Sequence, residues 1–213
     1  MRTVFGFVVV FGVLIALLVL EPWSYSSGNL IAVRQGNVLS LRWEGPIEPP
    51  MSKVLASAIA EDEGGAAKPS VIRLELDSPG GSVAEGERAI RILEDAARDV
   101  RLVTHVRTDG ECSSMCVPVY LAGETRTAAP NALFMFHDSY AADPISGQPL
   151  PQGARGRQAA ARDFRRQFMQ PAVNEAWARE LRRLIDNEGE VWRTADALYA
   201  ERSGIVTRLP KDD

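Results

Sequence analysis

Apolar positions change their spacing along the chain, and each change predicts an element. Residues 4–20 are apolar or glycine without interruption. A helix of about 17–25 such residues spans a bilayer, so this run sits at the short limit. The body then alternates. Residues 30–33 and 38–43 predict two strands around a turn at Gln35-Gly36-Asn37. Residues 51–61 carry Val54, Leu55, Ala58 and Ile59 at helical spacing. Residues 71–76 form a short apolar strand that runs into Asp77-Ser78-Pro79-Gly80-Gly81. A helix over 83–97 follows, with Ser82 and Glu85 spaced as a capping box. Residues 102–106 and 133–136 predict strands, and 113–122 a helix between them. This alternation implies βαβ crossovers and an α/β fold with a mainly parallel sheet. Residues 142–156 read as a loop, and 159–183 as a helix broken near Pro171. There Phe164/Phe168 and Val173/Trp177/Leu181 step by four, a stripe that faces either the core or a second copy of the chain.

The first segment has the flanks of a membrane anchor. Arg2 precedes the apolar run, and Glu21 and Pro22 follow it. Positive charge at the start favours a cytoplasmic N-terminus with the rest of the chain on the extracytoplasmic, periplasmic side. Trp23 and Tyr25 would then sit at headgroup level. The alternative is a cleaved signal that releases the protein to the periplasm, but no A-x-A site follows Leu20. The expected organisation is an anchor or signal over 1–21, a linker over 22–29 and one domain over 30–213. A chain of 213 residues fits that single domain.

Composition removes several functions. The net charge of -4 gives no basic footprint for nucleic acid. Two histidines and two cysteines without a CxxC pair argue against a zinc site, and no cofactor is implied. The only lysines are Lys53, Lys68 and Lys211.

Three segments carry residues suited to chemistry. Gly80-Gly81, between a strand and a capped helix, lets the backbone approach a ligand and aim N–H groups at it. Ser113-Ser114 stands between a strand and a helix, where a serine either caps the helix or is presented as a nucleophile. His137 ends an apolar strand, either as a hydrogen-bonded structural residue or as a proton acceptor for a serine.

In this order the segments resemble the proteolytic subunit of Clp proteases, in the crotonase-like superfamily, over residues 39–207. The matching stretches are Gly45-Pro46-Ile47-Glu48, Ser78-Pro79-Gly80-Gly81, Ser113-Ser114-Met115, Leu121-Ala122-Gly123, Pro130-Asn131-Ala132 and Met135-Phe136-His137. Thr194-Ala195 and Gly204-Ile205-Val206 follow late in the chain. The resemblance implies a fold of repeated ββα units and a serine peptidase. Ser114 would be the nucleophile and His137 the base. The N–H groups of Gly81 and Met115, beside Gly80, would form the oxyanion hole. The third acid would be Glu190, where the family usually has aspartate, or Asp186 one helical turn earlier. The sequence also departs from the family at Cys116, where a small residue is usual, and at Pro118 within the helix. Cys112 and Cys116 flank Ser114; in a helix their Cα atoms would lie about 6 Å apart, within disulfide range. Such a bond is permitted outside the cytoplasm and would stiffen the turn.

A Ser–Lys dyad, as in signal peptide peptidase A, finds only Lys211 after Ser114. The reaction expected is therefore Ser-His-acid acyl transfer on a peptide or unfolded protein. An extended peptide is expected to add beside the 71–76 and 133–136 strands. The resemblance also implies a homo-oligomer; the ATPase partner of Clp peptidases does not suit a domain outside the cytoplasm. Two other readings use the same fold: a catalytically impaired peptide-binding or scaffold protein, and an acyl-CoA enzyme of the crotonase type.

Overall fold

The computed structural model describes residues 24–27, 29–63, 68–141, 143 and 150–210. The apolar run at 4–20 and Trp23 lie outside the described residues. Among the described residues, no helix is long and apolar enough to cross a membrane. In chain order the elements are β1 (Ser24–Ser27), β2 (Leu30–Gln35), β3 (Val38–Glu44), α1 (Met51–Glu63), β4 (Val71–Asp77), α2 (Val83–Ala96), β5 (Arg101–Val106) and β6 (Glu111–Ser113). Then come α3 (Cys116–Leu121), β7 (Thr125–Ala128), β8 (Leu133–His137), α4 (Ala154–Phe168), α5 (Glu175–Glu188), β9 (Glu190–Thr194) and α6 (Ala195–Ala200).

Two sheets result. The larger has the order β1-β2-β3-β4-β5-β7, the smaller β6-β8-β9. β3, β4, β5 and β7 pair in parallel, while β1 and β2 add an antiparallel edge. The period-two pattern buries Leu39, Leu41 and Trp43 of β3 and Ile72, Leu74 and Leu76 of β4. Helix α1 covers this core with Val54, Leu55, Ala58 and Ile59, and α2 with Ala89 and Leu93. Ser82 caps α2, its Oγ accepting the Glu85 N–H at 3.3 Å. The reciprocal half of a capping box is not made: the Glu85 carboxylate takes the Ser52 N–H at 2.7 Å and Arg88 at 2.6 Å.

The smaller sheet is fastened where β4 ends. Asp77 accepts the Glu111 N–H at 3.0 Å and an Arg107 N–H at 2.7 Å. Ser78 donates its N–H to the Glu111 carbonyl at 2.8 Å and accepts the Ser113 N–H at 2.9 Å. Single bridges Ser78↔Cys112 and Ile47↔Gly81 carry this second layer on past β6. The glycine turn, β6, β8 and β9 thus lie side by side.

Some expectations change and others hold. The 22–29 segment contains β1, paired with β2. The helix expected from residue 113 begins at Cys116, because Ser113 still belongs to β6. β4 lies between β3 and β5, and β8 between β6 and β9. β4 is paired on both edges over residues 71–75 and β8 over residues 133–135, so neither strand offers a peptide a free edge along those stretches. The 142–156 loop ends early, since α4 starts at Ala154. The break near Pro171 falls between α4 and α5, and Asn174 caps α5 through the Trp177 N–H at 3.1 Å. The four-step stripe packs inward: Phe136 meets Phe168 at 5.7 Å and Trp177 at 5.6 Å between ring centroids.

Candidate active site

Ser114 stands at the turn from β6 into α3 with φ +53°. A non-glycine residue rarely adopts this conformation, and such residues concentrate at functional turns. Its N–H donates to the Met135 carbonyl at 2.9 Å, which pins the turn to β8. Cys112 and Cys116, both fully buried, are joined by a disulfide with Cα atoms 5.2 Å apart. The bond spans from the strand to the first helical residue, and the three residues between them form the turn. Pro118 falls in the first turn of α3, where a missing N–H leaves no intrahelical bond unmade.

Gly80 makes room for that turn. A Cβ at Gly80 would lie 2.6 Å from Ser114 Cβ and 2.7 Å from the Ser113 carbonyl oxygen. Its own polar groups are in use: the N–H donates to Ser78 Oγ at 3.1 Å, and the carbonyl accepts the Ile47 N–H at 2.7 Å. Gly81 pairs with Ile47 through its neighbours, since Ser82 donates to the Ile47 carbonyl at 2.8 Å. The Gly81 N–H is left over, as is that of Met115; neither meets a protein acceptor among the described residues. Two backbone donors in residues that line the same cavity as Ser114 are therefore unclaimed among the described residues.

β8 presents His137 by alternation. Phe134 and Phe136 are buried, so Met135 and His137 take the opposite face. β9 runs antiparallel with Glu190 opposite His137 and buried Val191 opposite Phe136. Directly opposed residues have Cβ atoms roughly 4.5–5.5 Å apart. The side chains of Glu190 and His137 therefore leave neighbouring strands on the same face of the smaller sheet.

Ser114, Met115, Gly80, Gly81, His137 and Glu190 line one open cavity of about 700 Å³. Phe168, Met135 and Tyr140 supply apolar walls, with the Tyr140 ring 5.4 Å from that of His137. No hydrogen bond joins Ser114 Oγ, His137 and Glu190 among the described residues, so the three share a space without closing into a relay. Asp186, the other candidate acid, is placed elsewhere. It accepts from Arg182 at 2.6 Å and is largely exposed, and it does not line the cavity. The same arginine holds Asp138, the residue after His137, with both arms at 2.5 and 2.9 Å.

The remaining histidine is structural. His105 Nδ1 lies 2.9 Å from Thr127 Oγ1 inside the larger sheet, and burial lowers its pKa. Lys53 borders a separate hollow with Ser52 and Arg88, and Lys68 lies 3.9 Å from Asp99. Neither lysine lines the cavity, and Lys211 lies outside the described residues. Among the described residues, no group of three or more His, Cys, Asp or Glu gathers as a metal site. Sequence reading placed Phe168 in the apolar stripe rather than in the site, and it missed Tyr140 and the Asp138–Arg182 pair. Their contribution depends on how α4 and α5 fold back over β8, which no local pattern announces.

The layered, mainly parallel sheets and the bridged glycine turn fit a Clp-peptidase-like fold. Solved structures of a 1510-N membrane-bound stomatin-specific protease share it. One, a lysine-to-alanine variant in complex with a substrate peptide, has a TM-score of 0.63 and 14% identity, covering 82% of this chain and 74% of that one. Another, a serine-to-alanine variant, has a TM-score of 0.63 and 13% identity, covering 82% and 79%. At this identity the likeness is one of fold. No protein-family model matches the chain, nor does any curated protein.

Proposed function

We propose that the chain is a serine-type peptidase acting by acyl transfer on peptide or unfolded-protein substrates. The observation that carries this reading is the cavity in which a serine at a left-handed turn and a histidine flank two unclaimed backbone N–H groups. Ser114 Oγ attacks the peptide carbonyl carbon while His137 accepts the hydroxyl proton. The carbonyl oxygen gains the negative charge and takes hydrogen bonds from Gly81 and Met115. Each such donor contributes about 3 kcal/mol of transition-state stabilisation in comparable sites. His137 returns the proton to the leaving amine, and water then releases the acyl group by the reverse sequence. Glu190 orients the imidazole and stabilises its charged form. The name of the solved relatives, a protease, agrees with this chemistry.

The site lies outside the cytoplasm in this reading, tethered by the 4–20 segment or released as a periplasmic protein after its removal. The Cys112–Cys116 bond supports an oxidising compartment. The domain assembles with copies of itself and has no ATPase partner there. A non-catalytic binding protein is the second reading. It is favoured by the absence of hydrogen bonds among Ser114, His137 and Glu190, although such bonds often tighten only with substrate bound.

Reaction with a serine-directed fluorophosphonate separates the two. The wild-type protein should become labelled, and Ser114→Ala should not. A wild-type protein that stays unlabelled, while still folded, rules out the peptidase.

A further inference from the structure

We propose that Arg182 is a positioning residue that sets both the placement and the proton affinity of His137 through Asp138. The inference rests on the Ser114–His137 reading and adds a control to it. Asp138 follows His137 directly and leaves β8 toward α4 and α5. Arg182, on α5, meets both of its carboxylate oxygens, Nη1 to Oδ1 at 2.5 Å and Nη2 to Oδ2 at 2.9 Å. Such a two-armed pair fixes orientation as well as distance. Nη2 also reaches Asp186 Oδ1 at 2.6 Å. The guanidinium sits over the Phe164 ring, 5.0 Å from its centroid. The arginine is therefore held by α4 and by its own helix, and it holds the residue after the base. Ser139 is fastened next, its Oγ donating to Asp163 at 2.7 Å and its carbonyl accepting from Gln152 at 2.9 Å.

The charge arrangement gives the clamp a second effect. The groups around His137 are Glu190 across the strand pair, Tyr140 against the ring and Glu48 in the lining of the same cavity. Behind them stand Asp138, Arg182, Asp186 and, on α4, Asp163 with Arg166. The arginine is the cation that offsets Asp138. The hydrogen bonds it donates to Asp138 raise its pKa against the effect of burial, so it stays charged across the working range. Without it, the Asp138 carboxylate next to the base is uncompensated, and a nearby anion favours imidazolium. Without Asp138, the arginine acts in the opposite sense.

The test is the pH dependence of fluorophosphonate labelling at Ser114, which needs neutral His137 and no known substrate. Arg182→Met should label about 10-fold more slowly at its optimum, and its acid limb should move up by about half a pH unit. Asp138→Asn should move the limb down. The double variant should return it close to the wild-type position while the rate stays low. Arg182→Lys keeps the charge without the fork, so its limb should stay in place while its rate falls. Should Arg182→Met fail to fold, Asp138→Asn and Arg182→Lys still decide the matter. Limbs that coincide in every folded variant overturn the inference and leave the Ser114 reading standing. A wild-type protein that does not label at all removes the reading beneath it.

Discussion

Replacing Gly80 by alanine puts the geometry of the serine turn under direct strain. Gly80 has φ +92°, a conformation that costs an L side chain about 1–2 kcal/mol. The added methyl would also approach Ser114 Cβ to 2.6 Å, the Ser113 carbonyl to 2.7 Å and the Met115 nitrogen to 3.1 Å. These are backbone or short side-chain atoms, so relief requires moving the turn itself. Overpacking of this kind adds about 1–3 kcal/mol, for a total of roughly 2–5 kcal/mol. Gly189 provides the reference: its φ is +83°, yet a Cβ there meets nothing within 4 Å. Gly189→Ala should therefore cost only the backbone share. Urea unfolding of the two variants measures the difference, about 2 kcal/mol in excess for Gly80→Ala. Labelling of Ser114 should fall by about 100-fold in Gly80→Ala, because the displaced atoms include a proposed oxyanion donor. Equal stability losses at the two glycines would refute the close packing of Gly80 against the turn. Undiminished labelling would refute the placement of the donor.

Two further outcomes follow from buried charges away from the cavity. Burial opposes ionisation of Glu85, but the Ser52 N–H and Arg88 outweigh it and hold its pKa below the ordinary glutamate value. Its contribution to stability is thus present above the unfolded-state pKa and is lost as pH falls through the lower folded-state pKa. Urea midpoints taken from pH 7 down to pH 3 should drop less steeply in Glu85→Gln than in the wild type. Arg126 is buried and donates to the carbonyls of Gly123 at 2.7 Å, Gly204 at 2.7 Å and Ile205 at 2.9 Å. Arg126→Met strands those acceptors and should cost about 3 kcal/mol or more by urea unfolding; a loss below about 1 kcal/mol would contradict their dependence on this side chain.

Much of this arrangement was legible from residue pattern. β3 and β4 were visible because alternate residues are buried and exposed, and α2 because its cap and apolar face both lie in sequence. Ser114 and His137 were legible as a pair only through the order of short motifs, since each alone has a structural explanation. β6, β7 and β9 left little trace. β6 is three residues long, and β9 buries Val191 while exposing Glu190 and Trp192. Such strands owe their existence to their partners rather than to their own periodicity. The helix start was misplaced because a left-handed serine looks, in sequence, like any serine cap. The two acids four residues apart were not separable either: Asp186 is turned toward Arg182, and only the register of β9 against β8 brings Glu190 opposite His137.

The most direct measurement is the crystal structure of the fluorophosphonate adduct. The expected adduct has phosphorus bonded to Ser114 Oγ, with its free oxygen about 3 Å from both the Gly81 and Met115 nitrogens and His137 within hydrogen-bond reach of Oγ. An adduct whose oxygen points away from those two amides, or forms on another residue, would contradict the proposed site.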